Sequence, residues 1–213
     1  MTTRTRWLWL VLFSLGLGWF EGAVVVYLRE LGPPVGSSLP SIVLPRHVLA
    51  TEVVREAASL LVLGSVSILA GTSGLQRFAA FLVAFGVWDL VYYLTLHVVT
   101  GWPARLSDPD VLFLIPVPWV GPVWAPALVA LVFVGAGSYV FLTPSAARVY
   151  RTRDWLVELA AAAGVVASFL PLPSGPWTEP RAEAFTPWLY WIGLGLGLGW
   201  FVNAEWRERA GRR

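Results

Sequence analysis

Residues 85–99 read FGVWDLVYYLTLHVV, an apolar stretch with one carboxylate, Asp89, in its middle. The apolar run begins near residue 75, so it exceeds the ~20 residues that a helix needs to cross a bilayer. A charged side chain near the bilayer centre costs ~2.5–3.5 kcal/mol on insertion scales. The stretch therefore predicts a membrane-spanning helix with a polar site inside it.

The composition of the whole chain agrees with a membrane location. Its 213 residues are 57% hydrophobic and 13% charged, with a mean hydropathy of +0.67. Soluble domains carry about 25% charged residues, so a soluble globular fold is excluded. The absence of cysteine from the sequence excludes disulfides, thiolate nucleophiles and iron–sulfur clusters.

Five further apolar blocks accompany the one around Asp89. They predict an all-α fold, a polytopic integral membrane bundle of about six helices, with residues 1–213 as a single transmembrane domain. The fifth block is Ala-rich and holds Glu158, so a bundle of five spans is an alternative. The predicted spans are 7–28, 48–72, 75–99, 119–143, 154–172 and 187–205.

Arginine placement predicts the orientation, because short cytoplasmic loops carry an excess of basic residues. All fifteen basic residues are Arg. With the N-terminus inside, ten lie on the cytoplasmic side and four or five on the outer side. Both termini are thus predicted to be cytoplasmic. The net charge is only +2, so membrane lipids, not nucleic acid, are the expected partners.

Proline and small residues mark two features of the packing. The stretch IPVPWVGPVWAP, residues 115–126, carries four prolines at the start of the fourth span. This start is predicted to be kinked, extended or re-entrant, and buried in protein. Small residues at Gly18 and Gly22, and at Gly193 and Gly197, predict tight helix packing, with dimerisation as the alternative.

The depths of the ionisable residues coincide. Asp89 is fourteen residues after Leu75, and Glu21 is fourteen after Trp7, so both lie ~21 Å above the inner boundary at ~1.5 Å per residue. The antiparallel second span brings Arg55 and its neighbour Glu56 to a similar level. Because isolated charges are costly there, these groups are expected to meet, with Arg55 neutralising one carboxylate.

Aromatic side chains surround the predicted site. Tyr92 and Tyr93 lie within one helical turn of Asp89 and can donate hydrogen bonds to it. The catalytic candidates are Asp89 and Glu21. Candidates for ligand binding are Arg55, Glu56, Glu52, Tyr92, Tyr93, Trp88 and His97. A buried ion network that only fixes helix register is the competing interpretation.

No metal site is predicted, and the sequence identifies no cofactor. HExxH and Glu-x-x-His patterns are absent from the sequence, so His47 and His97 are interpreted as solvated histidines near the interface. The less favoured alternative is a Zn, Fe or Mn site formed by these histidines with Glu52, Glu56 and Asp89. The stretch SDPDVLF, residues 107–113, is interpreted as a turn whose acids, Asp108 and Asp110, are solvated.

Two resemblances follow from these motifs. At WDLVYYL, GWP, DVLFLIPVPWVGP and TEVVREAASL, over about residues 48–130, the chain resembles an uncharacterised group of small bacterial multi-pass membrane proteins. This resemblance implies a location in a bacterial cell inner membrane and no activity. A fainter one is to integral-membrane carotenoid and terpene cyclases, which combine intramembrane acids with aromatic residues. The Pro-x-Glu-Glu motif of those cyclases is missing here, and SDPDVLF stands near its place.

Three functions are compatible with such a site. The first is a membrane subunit or ligand-binding component that holds a hydrophobic small molecule or partner membrane subunits. The second is an enzyme acting on a lipid or isoprenoid by acid catalysis, in which Asp89 or Glu21 retains its proton through burial. The third is a small proton-coupled transporter.

Overall fold

The computed structural model describes residues 1–31, 46–143, 150–170 and 185–210, which form six helices and one β-hairpin. The chain divides into two compact units, residues 1–144 and 145–213. The all-α fold class is confirmed, with the hairpin as a local departure. The prediction of one transmembrane domain stays a prediction. Several arginines used to predict the orientation lie outside the described residues: Arg148, Arg181, Arg212 and Arg213.

The first unit holds four helices and the hairpin. Each of the four helices is long and apolar enough to cross a membrane, so the first four predicted spans have the properties expected of membrane helices. In chain order the elements are α1 (Thr3–Leu31), α2 (Arg46–Ala70), α3 (Gly74–Thr100), β1 (Pro109–Phe113), β2 (Trp119–Pro122) and α4 (Trp124–Leu142).

The helix α3 is the centre of the first unit. In α3, 61% of the most apolar 18-residue window is buried, whereas the corresponding windows of the other three helices are 22–28% buried. It packs along both α1 and α4 and also contacts α2, and Val83, Ala84 and Leu96 are fully enclosed. The apolar side chains that α1 and α2 leave exposed are those that lipid would cover.

Polar contacts at one end of the unit establish the helix directions. Arg6 Nη1 donates to the Ala70 carbonyl oxygen at 2.6 Å and to Gln76 Oε1 at 3.3 Å, and Gln76 Nε2 donates to the Phe141 carbonyl oxygen at 3.1 Å. The starts of α1 and α3 therefore meet the ends of α2 and α4. We call this the Arg6 end. Consecutive helices from α1 to α4 therefore run in opposite directions.

The hairpin folds back along α3. Its strands are antiparallel, with Pro109 opposite Pro122. The Phe113 ring stacks on Phe85 with centroids 6.3 Å apart, and Phe85 lies fifteen residues, or ~22 Å, before the end of α3 at Thr100. Within the proline-rich segment, residues 119–122 are extended in β2, which is one of the predicted alternatives, and Val120 is buried. The predicted helix start at 119 is wrong, because 119–122 form β2 and α4 begins at Trp124.

Glycine allows α1 to approach α3 closely. A Cβ atom at Gly18 would lie 2.6 Å from the carbonyl oxygen of Trp88, and one at Gly22 would lie 2.6 Å from Thr95 Cβ. Both distances are too short for real contacts. The predicted internal packing by small residues is therefore present in α1.

The second unit is an antiparallel pair formed by α5 (Thr152–Ser168) and α6 (Pro187–Ala210). Gly193 packs on α5, where a Cβ atom would lie 2.8 Å from the Ala161 carbonyl oxygen. Asp154 is buried near the opposite end of the pair. It accepts hydrogen bonds from Arg207 Nη2 at 2.7 Å and from Trp200 Nε1 at 3.0 Å. The pair is thus held by close packing along its length and by an ion pair.

Candidate functional site

Ionisable and aromatic side chains gather in the first unit near the hairpin, toward the end opposite the Arg6 end. They come from α1, α2, α3 and β1, so four separate segments build the group. This agrees with the depths calculated for the helical residues. We call the group the hairpin cluster, and it comprises Glu21, Arg29, Glu52, Arg55, Glu56, Ser59, Asp89, Tyr92, Tyr93 and Asp110.

Arg55 joins two carboxylates from different helices. Its Nε donates to Glu52 Oε2 at 2.9 Å, and its Nη2 contacts the other oxygen of Glu52, which makes the pair bidentate. Its Nη1 contacts Glu21 of α1, and Ser59 Oγ donates to the second oxygen of Glu21 at 3.0 Å. The predicted neutralisation of a carboxylate by Arg55 is therefore seen, and it involves two acids.

Glu56 binds the turn of the hairpin. Its carboxylate accepts a hydrogen bond from the backbone N–H of Leu114, at 2.9 Å and 3.2 Å from the two oxygens. Leu114 follows β1, where the strand pairing has ended and its N–H would otherwise lack a partner. Glu56 was predicted as a ligand-binding residue, and in the structure it holds this backbone group.

Asp110 of β1 is buried, with 2% of its surface exposed. Tyr93 Oη donates to Asp110 Oδ2 at 3.1 Å, and Arg29 Nη2 lies 3.8 Å from Oδ1. The Arg29 guanidinium also lies over the Trp102 ring, 4.0 Å from its centroid. The interpretation of Asp110 as a solvated turn acid is wrong, because β1 carries the residue back against α3. Asp108 does act in a turn, accepting from the N–H of Ala104.

Burial raises the pKa of Asp110 from its ordinary 3.8 to about 6, although Arg29 and Tyr93 act to lower it. The folded protein therefore binds this proton more tightly than the unfolded chain. Stability from this group is present below pH 3.8 and is lost as the pH rises through about 6.

We expect the free energy of unfolding of Asp110→Asn to rise relative to that of wild type by up to roughly 3 kcal/mol as the pH passes from 3.8 to about 6. The Tm of both proteins, measured between pH 4 and 8, tests this prediction. A difference in Tm that stays constant with pH would contradict it.

Asp89 differs from the other carboxylates of the cluster. It is 9% exposed, and within the described ranges its carboxyl group has no hydrogen-bond donor and no ion pair. Asp110 is near enough for the two charges to interact. The sequence placed Tyr93 where it could donate to Asp89, and in the structure its hydroxyl donates to Asp110 instead. The α3 register turns Tyr93 toward β1, an element absent from the predicted fold.

Tyr92 lies between Arg55 and the group formed by Asp89, Asp110 and Arg29. It lies within electrostatic range of Arg55 on one side and of Asp89, Asp110 and Arg29 on the other. Its ring meets Tyr93 edge to face, with centroids 5.0 Å apart. Glu21 and Asp89 therefore belong to one continuous group, although they do not contact each other directly.

A set of aromatic rings extends from Asp89 along the hairpin. Phe85, one turn before Asp89, contacts Phe113 of β1, Phe133 of α4 and Trp88, with centroids 5.5–6.3 Å apart. Phe113 also contacts Trp88 at 6.4 Å and Trp119 of β2 at 5.5 Å. The rings form a mostly apolar wall beside the one unpaired carboxylate of the cluster. We call Phe85, Phe113 and Phe133 the phenylalanine wall.

His97 is the remaining predicted ligand-binding residue. It is exposed, and its Nδ1 lies 2.9 Å from the Pro103 carbonyl oxygen. This position agrees with its interpretation as a solvated histidine. Among the described residues, no three His, Asp or Glu side chains are grouped so as to hold a metal ion.

Sequence reasoning missed Arg29, Ser59 and the role of Asp110. The available signal was DVLFLIPVPWV, two short runs rich in β-branched and aromatic residues around a proline turn, a pattern typical of a hairpin. Comparison with known proteins adds no relative: no family model, no curated protein and no solved structure matches the chain.

Proposed function

We propose that the protein is a multi-pass membrane protein whose hairpin cluster binds a hydrophobic small molecule beside Asp89. It would serve as a ligand-binding component or membrane subunit in the bacterial cytoplasmic membrane. We further propose six spans with both termini cytoplasmic. The four apolar helices of the first unit support the membrane location, and the arginine distribution supports the orientation.

The second unit supports the fifth and sixth spans. Large apolar side chains are exposed on both of its helices, among them Leu156 and Leu159 on α5 and Ile192 and Val202 on α6. A soluble helix pair rarely leaves so many uncovered. Lipid would cover them, and Asp154 with its arginine partner would then lie near the membrane boundary.

The observation that carries the proposed ligand site is the pairing of the acids. A network that only fixes helix register should leave no acid unpaired, because an unpaired buried charge is costly. In the hairpin cluster Glu21, Glu52, Glu56 and Asp110 each have a partner. Within the described ranges Asp89 has none, and the phenylalanine wall lies beside it. A mostly apolar wall with a small number of polar groups is the usual composition of a small-molecule site.

The Asp89→Asn variant tests this proposal. We expect its folded yield and its Tm in detergent to stay within about 2 °C of wild type, because no ion pair is lost. Mass spectrometry of the molecules that co-purify should find a hydrophobic compound enriched in wild type and depleted in Asp89→Asn. The matched control is Glu30→Gln, which neutralises an exposed acid and should leave that compound unchanged. A sharp drop in folded yield of Asp89→Asn, or identical co-purifying molecules, would count against a ligand at Asp89.

Acid catalysis on a lipid or isoprenoid is the second candidate. The observation that favours it is the contact of Phe85 with Trp88 and Phe113 next to Asp89, since aromatic faces stabilise positive charge that forms after protonation. Proton-coupled transport has less support. Arg6 binds both α2 and α3 at the end where a cytoplasmic gate would have to open.

A further inference from the structure

We propose that the ligand beside Asp89 is a neutral molecule with a flat ring and a carbonyl-type oxygen, and that the indole N–H groups of Trp88 and Trp119 donate to that oxygen or to a pair of such oxygens. This inference rests on the proposed function and specifies the chemical class of the ligand. It comes from a different observation, the unpaired indole nitrogens at the hairpin.

Both indole nitrogens are buried and unpaired. Within the described parts of the chain, Trp88 Nε1 and Trp119 Nε1 have no hydrogen-bond partner, and Trp88 is 6% exposed. Other tryptophans behave differently, since Trp7 Nε1 donates to Ser138 at 3.0 Å and Trp200 Nε1 to Asp154 at 3.0 Å. Trp88 and Trp119 come from α3 and β2, and both rings contact Phe113. Two unpaired donors therefore flank the same side chain.

The chemistry of indole determines what could satisfy these groups. The indole nitrogen donates a hydrogen bond and cannot accept one. Water would satisfy it in a soluble protein, but the hydrocarbon of a membrane offers no such partner. A buried donor without a partner is uncommon in proteins and calls for an explanation. A ligand with an acceptor oxygen at this position supplies the missing partner.

The phenylalanine wall determines the rest of the ligand. Phe85, Phe113 and Phe133 are each partly buried and partly exposed, and aromatic rings pack well on flat rings. A flat ring that carries carbonyl oxygens, as a quinone does, matches both the wall and the two donors. A cation would be attracted by Asp89 and by the rings, but it would leave both indole N–H groups unpaired.

The test uses the full-length protein in lipid nanodiscs and two probes of matched shape. The first is a 1,4-naphthoquinone with a short alkyl tail, and the second is the alkylnaphthalene that lacks the carbonyl oxygens. We expect wild type to bind the quinone at least tenfold more tightly by calorimetry. Trp88→Phe and Trp119→Phe keep a ring and remove one donor, so each should weaken quinone binding about fivefold to tenfold. The control Trp7→Phe also removes an indole N–H but should leave binding unchanged.

A second measurement uses wild type alone, so its result does not depend on whether the tryptophan variants fold. With ¹⁵N-labelled tryptophan in wild type, we expect the quinone to shift two indole N–H resonances more than alkylnaphthalene does. Three results would overturn the inference and leave a ligand site in place. They are equal affinity for the two probes, unchanged affinity in both variants, or tighter binding of an alkyltrimethylammonium probe than of the quinone. If no probe binds, the inference fails. The comparison of molecules co-purifying with wild type and Asp89→Asn then decides separately on the proposed function.

Discussion

Replacing Arg55 with methionine is expected to lower the free energy of unfolding by about 3–5 kcal/mol, as removal of one partner from a buried ion pair typically does. The variant would leave Glu21 and Glu52 together without their cation. Glu21 is 5% exposed, so water screens little of the repulsion. Folded yield in detergent and resistance to thermal unfolding should both fall sharply.

A triple variant separates charge from packing in this prediction. Arg55→Met combined with Glu21→Gln and Glu52→Gln removes all three charges and keeps side chains of similar volume. We expect it to recover most of the stability lost in the single variant, because neutral groups of similar shape often replace a buried ion network with little loss. A single variant as stable as wild type, or a triple variant no better than the single one, would show that Arg55 does not act through these carboxylates.

The Gly18→Ala variant is expected to lose about 1–3 kcal/mol of stability through overpacking. Its new Cβ atom would lie 2.6 Å from the Trp88 carbonyl oxygen and 2.8 Å from Val91 Cβ. Both neighbours belong to α3, so relief requires the two helices to separate. The separation would also move Glu21, three residues further along α1, relative to α3.

Gly16→Ala is the matched control on the same helix. A Cβ atom at Gly16 meets nothing within 4 Å, so the change should be neutral or stabilise the helix by up to about 1 kcal/mol. Thermal unfolding of both variants under the same detergent conditions gives the comparison. Similar Tm values for the two variants would mean that α1 does not depend on close approach at Gly18.

The four long apolar helices of the first unit could be predicted because each satisfies its backbone hydrogen bonds internally, so apolar length alone identifies it. The predicted spans 48–72 and 75–99 differ by one or two residues from α2 and α3. The depths of Glu21, Arg55 and Glu56 follow from the same regularity, since rise per residue is constant in a helix. The pairing of Glu21 with Arg55 could be predicted from the sequence for this reason.

The hairpin could not be placed by these rules. Its strands pair with each other, but their position along α3 depends on side chains distant in the sequence, such as Phe85 with Phe113 and Glu56 with the N–H of Leu114. An apolar segment with four prolines before a helix is compatible with a kinked helix as well as with an extended chain. The partners of Glu56, Tyr93 and Asp110 were missed together because all three depend on that one element.

The central place of α3 has a consequence for biogenesis. Its side chains are covered by α1 and α2, which the ribosome makes earlier, and by the hairpin and α4, which it makes later. A nascent chain that ends soon after Thr100 would hold Tyr93 and Phe85 without their later neighbours. Because the hairpin and α4 follow α3 in the chain, the burial of α3 seen in the full structure can be complete only once synthesis has passed residue 142.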